Sequence, residues 1–216
     1  MSVGVFGGTF DPIHWGHLRA AEEVAEQLEL ESVLFVPSAS PPHKTSSDIA
    51  PAELRLAWVR DAIADNPHFA VDPLEVERGG HSYSYETLQE IGARLASELP
   101  VFVIGCDAFC EIDEWREPET LLRLAHFAVM TRPPADRGTL RDWLPRPLAG
   151  AIEFAPDGRS GRHREVGTKL DLVEISALDV SSSDVRRRLR EGRSLRYLLP
   201  EAIRSKVEQS GVYAPA

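Results

Sequence analysis

The chain is poor in cysteine, methionine and aromatic residues, with two Cys, two Met and 7% Phe, Trp and Tyr together. The two cysteines, Cys106 and Cys110, have no further cysteine or suitably spaced histidine, so neither a zinc site nor a disulfide framework is indicated. Reduced thiols in a cytoplasm are expected instead. No apolar run approaches a membrane span. The N-terminus enters a strand-like run without a basic n-region, so no signal peptide is expected. Positive charge is not in excess either: 24 Lys and Arg stand against 34 Asp and Glu, a formal net charge of −10. That argues against general nucleic-acid binding, which draws its affinity from a basic face. It leaves room for a nucleotide in a locally positive site. Internal repeats and low-complexity tracts are lacking.

The rest is ordinary for a soluble domain. The 216 residues are 43% hydrophobic and 27% charged, which fits one sizeable domain, 1–216, with residues 181–216 as a C-terminal helical subregion. Val3 to Phe6 is short, apolar and β-prone, and Gly7-Gly8 follows at once. Gly16 to Glu29 carries Leu18, Ala21, Ala25 and Leu28 at helical spacing, and Ser32 to Pro37 is a second buried strand. A strand, a helix and a strand within about 35 residues make a βαβ unit with a parallel sheet. The expected fold is therefore α/β: a doubly wound, mostly parallel sheet with helices on both faces. Ligands in such sheets sit at the carboxyl ends of the strands.

That end of the first strand carries Gly7-Gly8-Thr9-Phe10-Asp11-Pro12-Ile13-His14-Trp15-Gly16-His17. The glycine spacing fits neither the dinucleotide fingerprint nor the Walker loop. In place of the Walker lysine stand His14 and His17, on one face of a helical turn, where imidazoles can donate to phosphate oxygens. Glycines let the backbone approach an anion, Gly16 removes a side chain where a nucleotide must come close, and the helix start adds its N–H groups and dipole. A second phosphate-binding constellation lies in Val180-Ser181-Ser182-Ser183-Asp184-Val185-Arg186, where serines open a helix beside an arginine. Arg187, Arg188 and Arg190 are expected to be mostly solvated.

Between these ends, Ser38 to Ala50 is a polar loop stiffened by Pro41-Pro42 and charged at His43-Lys44; it reads either as a solvated loop or as an arm over the site. Pro51 to Asn66 forms a helix on which Arg55 and Arg60 are expected to be solvated charges. Phe69 to Leu74 is a short strand, and Glu75 to Gly80 leads to a turn. Ser84 is expected to cap a helix running to about Glu98. Val101 to Ile104 and Ala125 to Met130 are strands, the first ending in Gly105-Cys106-Asp107. Trp115, in a charged loop, reads as a lid over the core or as a stacking surface for a flat ring. One or two helical turns fall in Gly138 to Pro147, and short strands in Ile152–Phe154 and Leu172–Ile175. The basic, glycine-rich stretch 157–169 between them is expected to be a flexible connection. Leu195 to Gln209 reads as terminal helices split at Pro200.

The segment Gly7 to His17 resembles the signature of the H-x-G-H nucleotidyltransferase superfamily, with its Rossmann-like fold. Within it, the chain is most similar to the nicotinate-nucleotide adenylyltransferase family of NAD biosynthesis. Pro41-Pro42-His43-Lys44, Ser82-Tyr83-Ser84-Tyr85-Glu86-Thr87-Leu88, Gly105-Cys106-Asp107 with Trp115, and Val180 to Arg186 carry that similarity. Ser84 and Ser183 stand where threonine is usual. The resemblance implies adenylyl transfer from ATP to nicotinate mononucleotide, with Mg²⁺ arriving on ATP. It implies a catalytic set of His14, His17, Lys44 and Arg186. Gly7, Gly8, Thr9, Phe10, Gly105, Asp107, Ser182 and Ser183 would join His14, His17 and Arg186 around ATP. His43, Lys44, Ser84, Tyr85 and Trp115 would meet nicotinate mononucleotide. No nucleic-acid or membrane partner is expected, and a homo-oligomer stays open. A sister enzyme acting on nicotinamide mononucleotide or pantetheine phosphate, and a non-catalytic nucleotide sensor, are the competing readings.

Overall fold

The computed structural model describes residues 2–40, 49–95, 98–131, 138–176 and 178–213. In chain order these form β1 (Val3–Gly8), α1 (Trp15–Leu28), β2 (Ser32–Pro37), α2 (Ala52–Ile63), β3 (Phe69–Val71), α3 (Leu74–Arg78), α4 (Ser84–Arg94), β4 (Val101–Gly105) and α5 (Cys106–Cys110). A 3₁₀ turn (Ile112–Glu114), α6 (Pro118–Leu124), β5 (His126–Thr131), α7 (Leu140–Trp143), α8 (Arg146–Ala149), β6 (Ile152–Phe154), β7 (Ser160–His163), β8 (Lys169–Glu174), α9 (Ser182–Arg190) and α10 (Glu201–Gln209) follow. The chain divides into two compact units. One is built from Met1–Gly7, Ala21–Val33 and Tyr83–Ser176, the other from Gly8–Ala20, Leu34–Ser82 and Ala177–Ala216.

The first unit orders its strands β1-β4-β5-β8-β7-β6. The pairs β1·β4, β4·β5 and β5·β8 are parallel, with Gly4 opposite Val101, Val101 opposite His126 and Phe127 opposite Leu170. A central parallel strand is covered on both faces and so reads as a continuous apolar run; Val101 to Ile104 are all buried, as are Phe127, Ala128 and Val129. Residues 157–169 are not a plain connection. They contain β7, antiparallel to both β6 and β8, with Ile152 opposite His163 and Gly161 opposite Leu170. The polar run Ser160–His163 carries no alternating apolar signal, and backbone pairing alone makes it a strand. Glu174 and Ser176 are tied down by Gln27 and Glu23 of α1, at 2.8 and 2.5 Å.

In the second unit the amide of Asp72, just past β3, donates to the Phe35 carbonyl of β2 at 2.9 Å. Phe35, Trp58, Val59, Val185, Ile203 and Val207 are buried around α2, α9 and α10. α10 packs on α2, with an ion pair from Lys206 to Asp61 at 2.7 Å.

Three local expectations change. Residues expected to lead into a turn form α3 instead, entered from Pro73. Ser84 is the first helical residue of α4 and Tyr83 holds the cap position, with no side-chain cap. Leu195 to Leu199 is a set of turns, and the terminal helix starts only after Pro200. A further helix, α6, for which the sequence carries no expectation, begins at Pro118 with Glu117 in the cap position. Among the described residues no helix is long and apolar enough to cross a membrane.

Candidate functional site

Gly7 and Gly8 are the last two residues of β1, not a turn after it. The strand ends before Thr9, and Phe10 takes a left-handed backbone with φ of 47° ahead of the turn at Asp11 and Pro12, uncommon for a bulky residue. The Phe10 ring folds back over Gly8: a Cβ on Gly8 would meet ring carbons at 3.0, 3.1 and 3.3 Å. Glycine at this position therefore makes room for Phe10. Gly16 is similar. A Cβ there would come within 3.0 Å of the His14 ring and 3.1 Å of Val180, so glycine here makes room for those side chains.

His14 precedes α1, and its carbonyl accepts from the amides of His17 and Leu18 at 3.0 and 3.3 Å. The two imidazoles stack with centroids 3.8 Å apart. The His14 amide donates to Nδ1 of His17 at 3.3 Å. A nitrogen that accepts cannot carry the proton, so the neutral His17 ring holds its proton on Nε2. Phe10 stands edge-to-face against His17, centroids 5.1 Å apart at 81°.

The start of α9 meets the same loop. Ser181 caps the helix, accepting from the Asp184 amide at 3.1 Å. The Ser182 hydroxyl donates to the Pro12 carbonyl at 2.9 Å. Arg186 donates to the Asp11 carbonyl at 2.7 Å and to Ser183 Oγ at 3.2 Å, and lies 3.4 Å from the Asp11 carboxylate. Arg187 and Arg188 are engaged with Asp184, and Arg190 bonds back to the Arg186 carbonyl.

Two residues behind this cluster escaped the sequence reading. Arg55, expected to be solvated, is fully buried. Its Nε donates to the Ala50 carbonyl at 2.9 Å, Nη1 to Thr9 at 2.6 Å, and Nη2 to Ser38 at 2.6 Å and Ala39 at 3.0 Å. Burial lowers its pKa, and Asp11 nearby opposes that shift. Tyr213 donates its hydroxyl to Asp11 Oδ1 in a short hydrogen bond, and the same oxygen accepts from the Ala50 amide at 3.0 Å. No local sequence signal announces these contacts: apart from Ala50, five residues before Arg55, the partners of the two side chains lie 16 to 202 residues away.

The second unit thus gathers Gly8, Thr9, Phe10, His14, His17, Ser182, Ser183 and Arg186. His43 and Lys44 lie outside the described residues. The remaining expected site residues, Gly7, Gly105, Asp107, Ser84, Tyr85 and Trp115, belong to the first unit. There the amides of Ser84 and Tyr85 open α4 with no side-chain cap. The Tyr85 hydroxyl donates to Glu86 at 2.9 Å, a bond that raises its pKa. Arg116 lies over the Tyr83 ring at 4.7 Å, adding positive charge near that helix start. Trp115 is half-buried and stands edge-to-face to Phe102 with centroids 6.3 Å apart, so it covers a core residue and keeps part of its surface open. Gly105 precedes α5, and Asp107, in the first turn of α5, lies 3.8 Å from the Cys106 thiol.

A cytidylyltransferase-like family profile matches residues 5–188. A Geotalea daltonii protein named "Probable nicotinate-nucleotide adenylyltransferase" is 40% identical over 213 residues, covering 99% of this chain and 98% of that one. A protein of the same name from Halorhodospira halophila is 40% identical over 212 residues, covering 98% and 95%. Among solved structures, Plasmodium falciparum nicotinic acid mononucleotide adenylyltransferase complexed with NaAD superposes with a TM-score of 0.74 at 16% identity, covering 98% of this chain and 97% of that one. At that identity the likeness is one of fold.

Proposed function

Because the chain belongs to the nicotinate-nucleotide adenylyltransferases of the cytidylyltransferase-like family, we propose that the residues described above carry that family's reaction. The enzyme transfers the adenylyl group of ATP to nicotinate mononucleotide and releases pyrophosphate, giving deamido-NAD in NAD biosynthesis. A phosphate oxygen of the mononucleotide forms a bond to the α-phosphorus of ATP. The bond from that phosphorus to the β-bridging oxygen breaks, and the electron pair leaves with pyrophosphate. A phosphate dianion is already a nucleophile and needs no general base, so the protein's work is positioning and charge stabilisation.

The observation that carries this reading is the His14–His17 pair. With Nδ1 of His17 occupied by the His14 amide, its Nε2–H is a fixed donor for the charge that develops on the α-phosphate. His14 meets the neighbouring phosphate oxygens. Arg186, held to the Asp11 carbonyl and to Ser183, meets the β- and γ-phosphates with the start of α9. Gly7, Gly8, Thr9 and Phe10 line the nucleotide by backbone contact, with Gly105 and Asp107 on the ribose side. Lys44 and His43 neutralise phosphate charge. Trp115 stacks on the pyridine ring, and the amides of Ser84 and Tyr85 receive the nicotinate carboxylate. A carboxamide would turn its NH₂ against one of those donors, which favours the acid over the amide.

Magnesium enters as part of the Mg²⁺–ATP substrate. Triphosphate oxygens and water suit that ion, and among the described residues no group of three or more His, Cys, Asp or Glu forms a cage for it. One domain over 1–216 performs the reaction, a reading supported by a family match that runs through both units. The cytoplasm is its place, in keeping with metabolite substrates and two free cysteines.

Pyrophosphate release from Mg²⁺–ATP, followed in parallel with nicotinate and nicotinamide mononucleotides, tests the reading. Strong preference for the nicotinate form supports both the reaction and the carboxylate site. Equal use of both keeps the chemistry and removes the role given to the Ser84 and Tyr85 amides. Release with neither overturns the assignment.

A further inference from the structure

We infer that Arg55 is a positioning residue for adenylyl transfer, setting the orientation of His17 through the Thr9 carbonyl and the Phe10 ring. The inference rests on the reaction proposed above.

The starting point is a fully buried guanidinium whose hydrogen bonds, among the described residues, all go to backbone carbonyls. Its four hydrogen bonds reach Thr9, just after β1; Ser38 and Ala39, just after β2; and Ala50, just before α2. A buried charge is costly, and packing alone is served better by an apolar side chain of similar volume. What an arginine supplies that no apolar residue can is a rigid planar fork that fixes several carbonyls at once. Lysine has a single nitrogen and cannot reproduce that spread.

The carbonyl at Thr9 is the one that matters for the chemistry. At 2.6 Å its bond is among the shortest Arg55 makes, and it fixes the peptide plane entering Phe10. Phe10 then holds the left-handed backbone of φ 47°, a conformation that persists only where the surroundings over-determine it. The far side of Phe10 is fixed too, since the Asp11 carbonyl accepts from Arg186 and the Asp11 carboxylate from Tyr213 and the Ala50 amide. Between these clamps the Phe10 ring is pressed onto Gly8, against Phe35 at 5.7 Å and edge-on to His17 at 5.1 Å. One face of the His17 ring is taken by His14, and Phe10 closes another approach. Releasing the Thr9 carbonyl lets Phe10 relax toward an ordinary backbone, withdraws its ring, and frees the His17 imidazole to rotate away from the α-phosphate.

The experiment compares wild type, Arg55→Lys and Phe10→Leu in the full chain. Steady-state kinetics with Mg²⁺–ATP and nicotinate mononucleotide give kcat and KM. Imidazole ¹H–¹⁵N spectra of the ligand-free proteins report the His17 tautomer, and far-UV and near-UV circular dichroism reports folding. For folded Arg55→Lys the expected result is a kcat lower by roughly 10- to 100-fold, the scale of a small misplacement at a reacting centre. KM for ATP should stay within about threefold, and the His17 nitrogens should lose the pure Nε2–H pattern. Phe10→Leu, which keeps Arg55, should move kcat and the His17 spectrum in the same direction. A folded Arg55→Lys protein with wild-type kcat, or with reduced kcat and an unchanged His17 spectrum, overturns the inference. If Arg55→Lys does not fold, Phe10→Leu decides: a wild-type His17 spectrum and kcat in that variant overturn it. Should wild type itself turn over neither mononucleotide, the functional reading fails, while the His17 spectra still decide whether the relay exists.

Discussion

Replacing Tyr213 by Phe isolates the bond that ties the C-terminal end of the described chain to the loop after β1. Phe keeps the ring, which is 6% exposed and packs against Trp58 with centroids 6.1 Å apart, so the apolar contribution stays. Only the hydroxyl is lost. Its acceptor, Asp11, is buried, and it retains the Ala50 amide at 3.0 Å and Arg186 at 3.4 Å. A hydrogen bond to a charged group contributes about 1.5–3 kcal/mol. With two partners left to share the carboxylate's charge, the expected loss is about 2 kcal/mol, in the lower part of that range. For a chain of this size that lowers Tm by roughly 4–8 °C. Urea denaturation should show a lower midpoint with an unchanged slope, since the surface exposed on unfolding does not change. In an Asp11→Asn background the same substitution should cost much less, giving a coupling energy of about 1 kcal/mol or more. Burial first, and then the bond to Asp11, raise the Tyr213 pKa well above its usual 10.0. The folded state therefore binds this proton more tightly than the unfolded state. Wild type should lose stability as the pH rises above about 10, and Tyr213→Phe should lose less. A Tyr213→Phe protein that melts within 1 °C of wild type refutes the reasoning.

Gly8→Ala places a methyl group 3.0 Å from a Phe10 ring that is already hemmed in by Phe35 and His17. Overpacking of this kind should cost about 1–3 kcal/mol, and kcat should fall roughly tenfold; wild-type turnover in that variant would show that Phe10 has room to move. His163 is buried, and its Nδ1 accepts from the Glu165 amide at 3.2 Å. Burial, and then Arg123, lower its pKa below 6.5. The unfolded chain therefore takes up the proton first as the pH drops. The stability this group contributes is complete above about pH 6.5 and declines as the pH falls toward the folded-state value, by at most about 1.4 kcal/mol per pH unit. His126, also lowered by burial, adds a decline of the same sign. Thermal melts between pH 7.5 and 5 should accordingly fall more steeply for wild type than for His163→Gln, and parallel curves would contradict this.

Much of the frame was legible from local pattern. Ser32 to Pro37 announces β2 to the residue, because a β-branched and aromatic run between polar ends has one reading. The histidine pair was legible for the same reason: three residues apart at a helix start places the two rings together, and they stack at 3.8 Å. The losses have physical causes. β7 is Ser-Gly-Arg-His, a strand held by its neighbours' backbones and not by its own side chains. The helix expected to run to about Glu98 ends at Arg94, where Leu95 leaves the helical backbone and its amide bonds back to Gly92. Arg55 reads as a surface charge because three of its four acceptors are carbonyls 46, 17 and 16 residues away, and only Ala50 is near in the chain. Tyr213 and Asp11 are 202 residues apart. Periodicity reports which face of an element is buried. It does not report which distant carbonyl will receive a buried donor. The glycines teach a related point: a Cβ at Gly8 would meet the Phe10 ring, and one at Gly16 would meet His14 and Val180, so tight packing of distant or neighbouring side chains is a reason for glycine that spacing does not announce.

His17→Ala tests the central claim most directly, with kcat and the KM for ATP measured under saturating nicotinate mononucleotide. If the fixed Nε2–H stabilises the charge developing on the α-phosphate, kcat falls by roughly 100- to 1,000-fold while the KM for ATP changes only a few-fold. An unchanged kcat, or a loss confined to KM, would contradict the account and remove His17 from the chemical step.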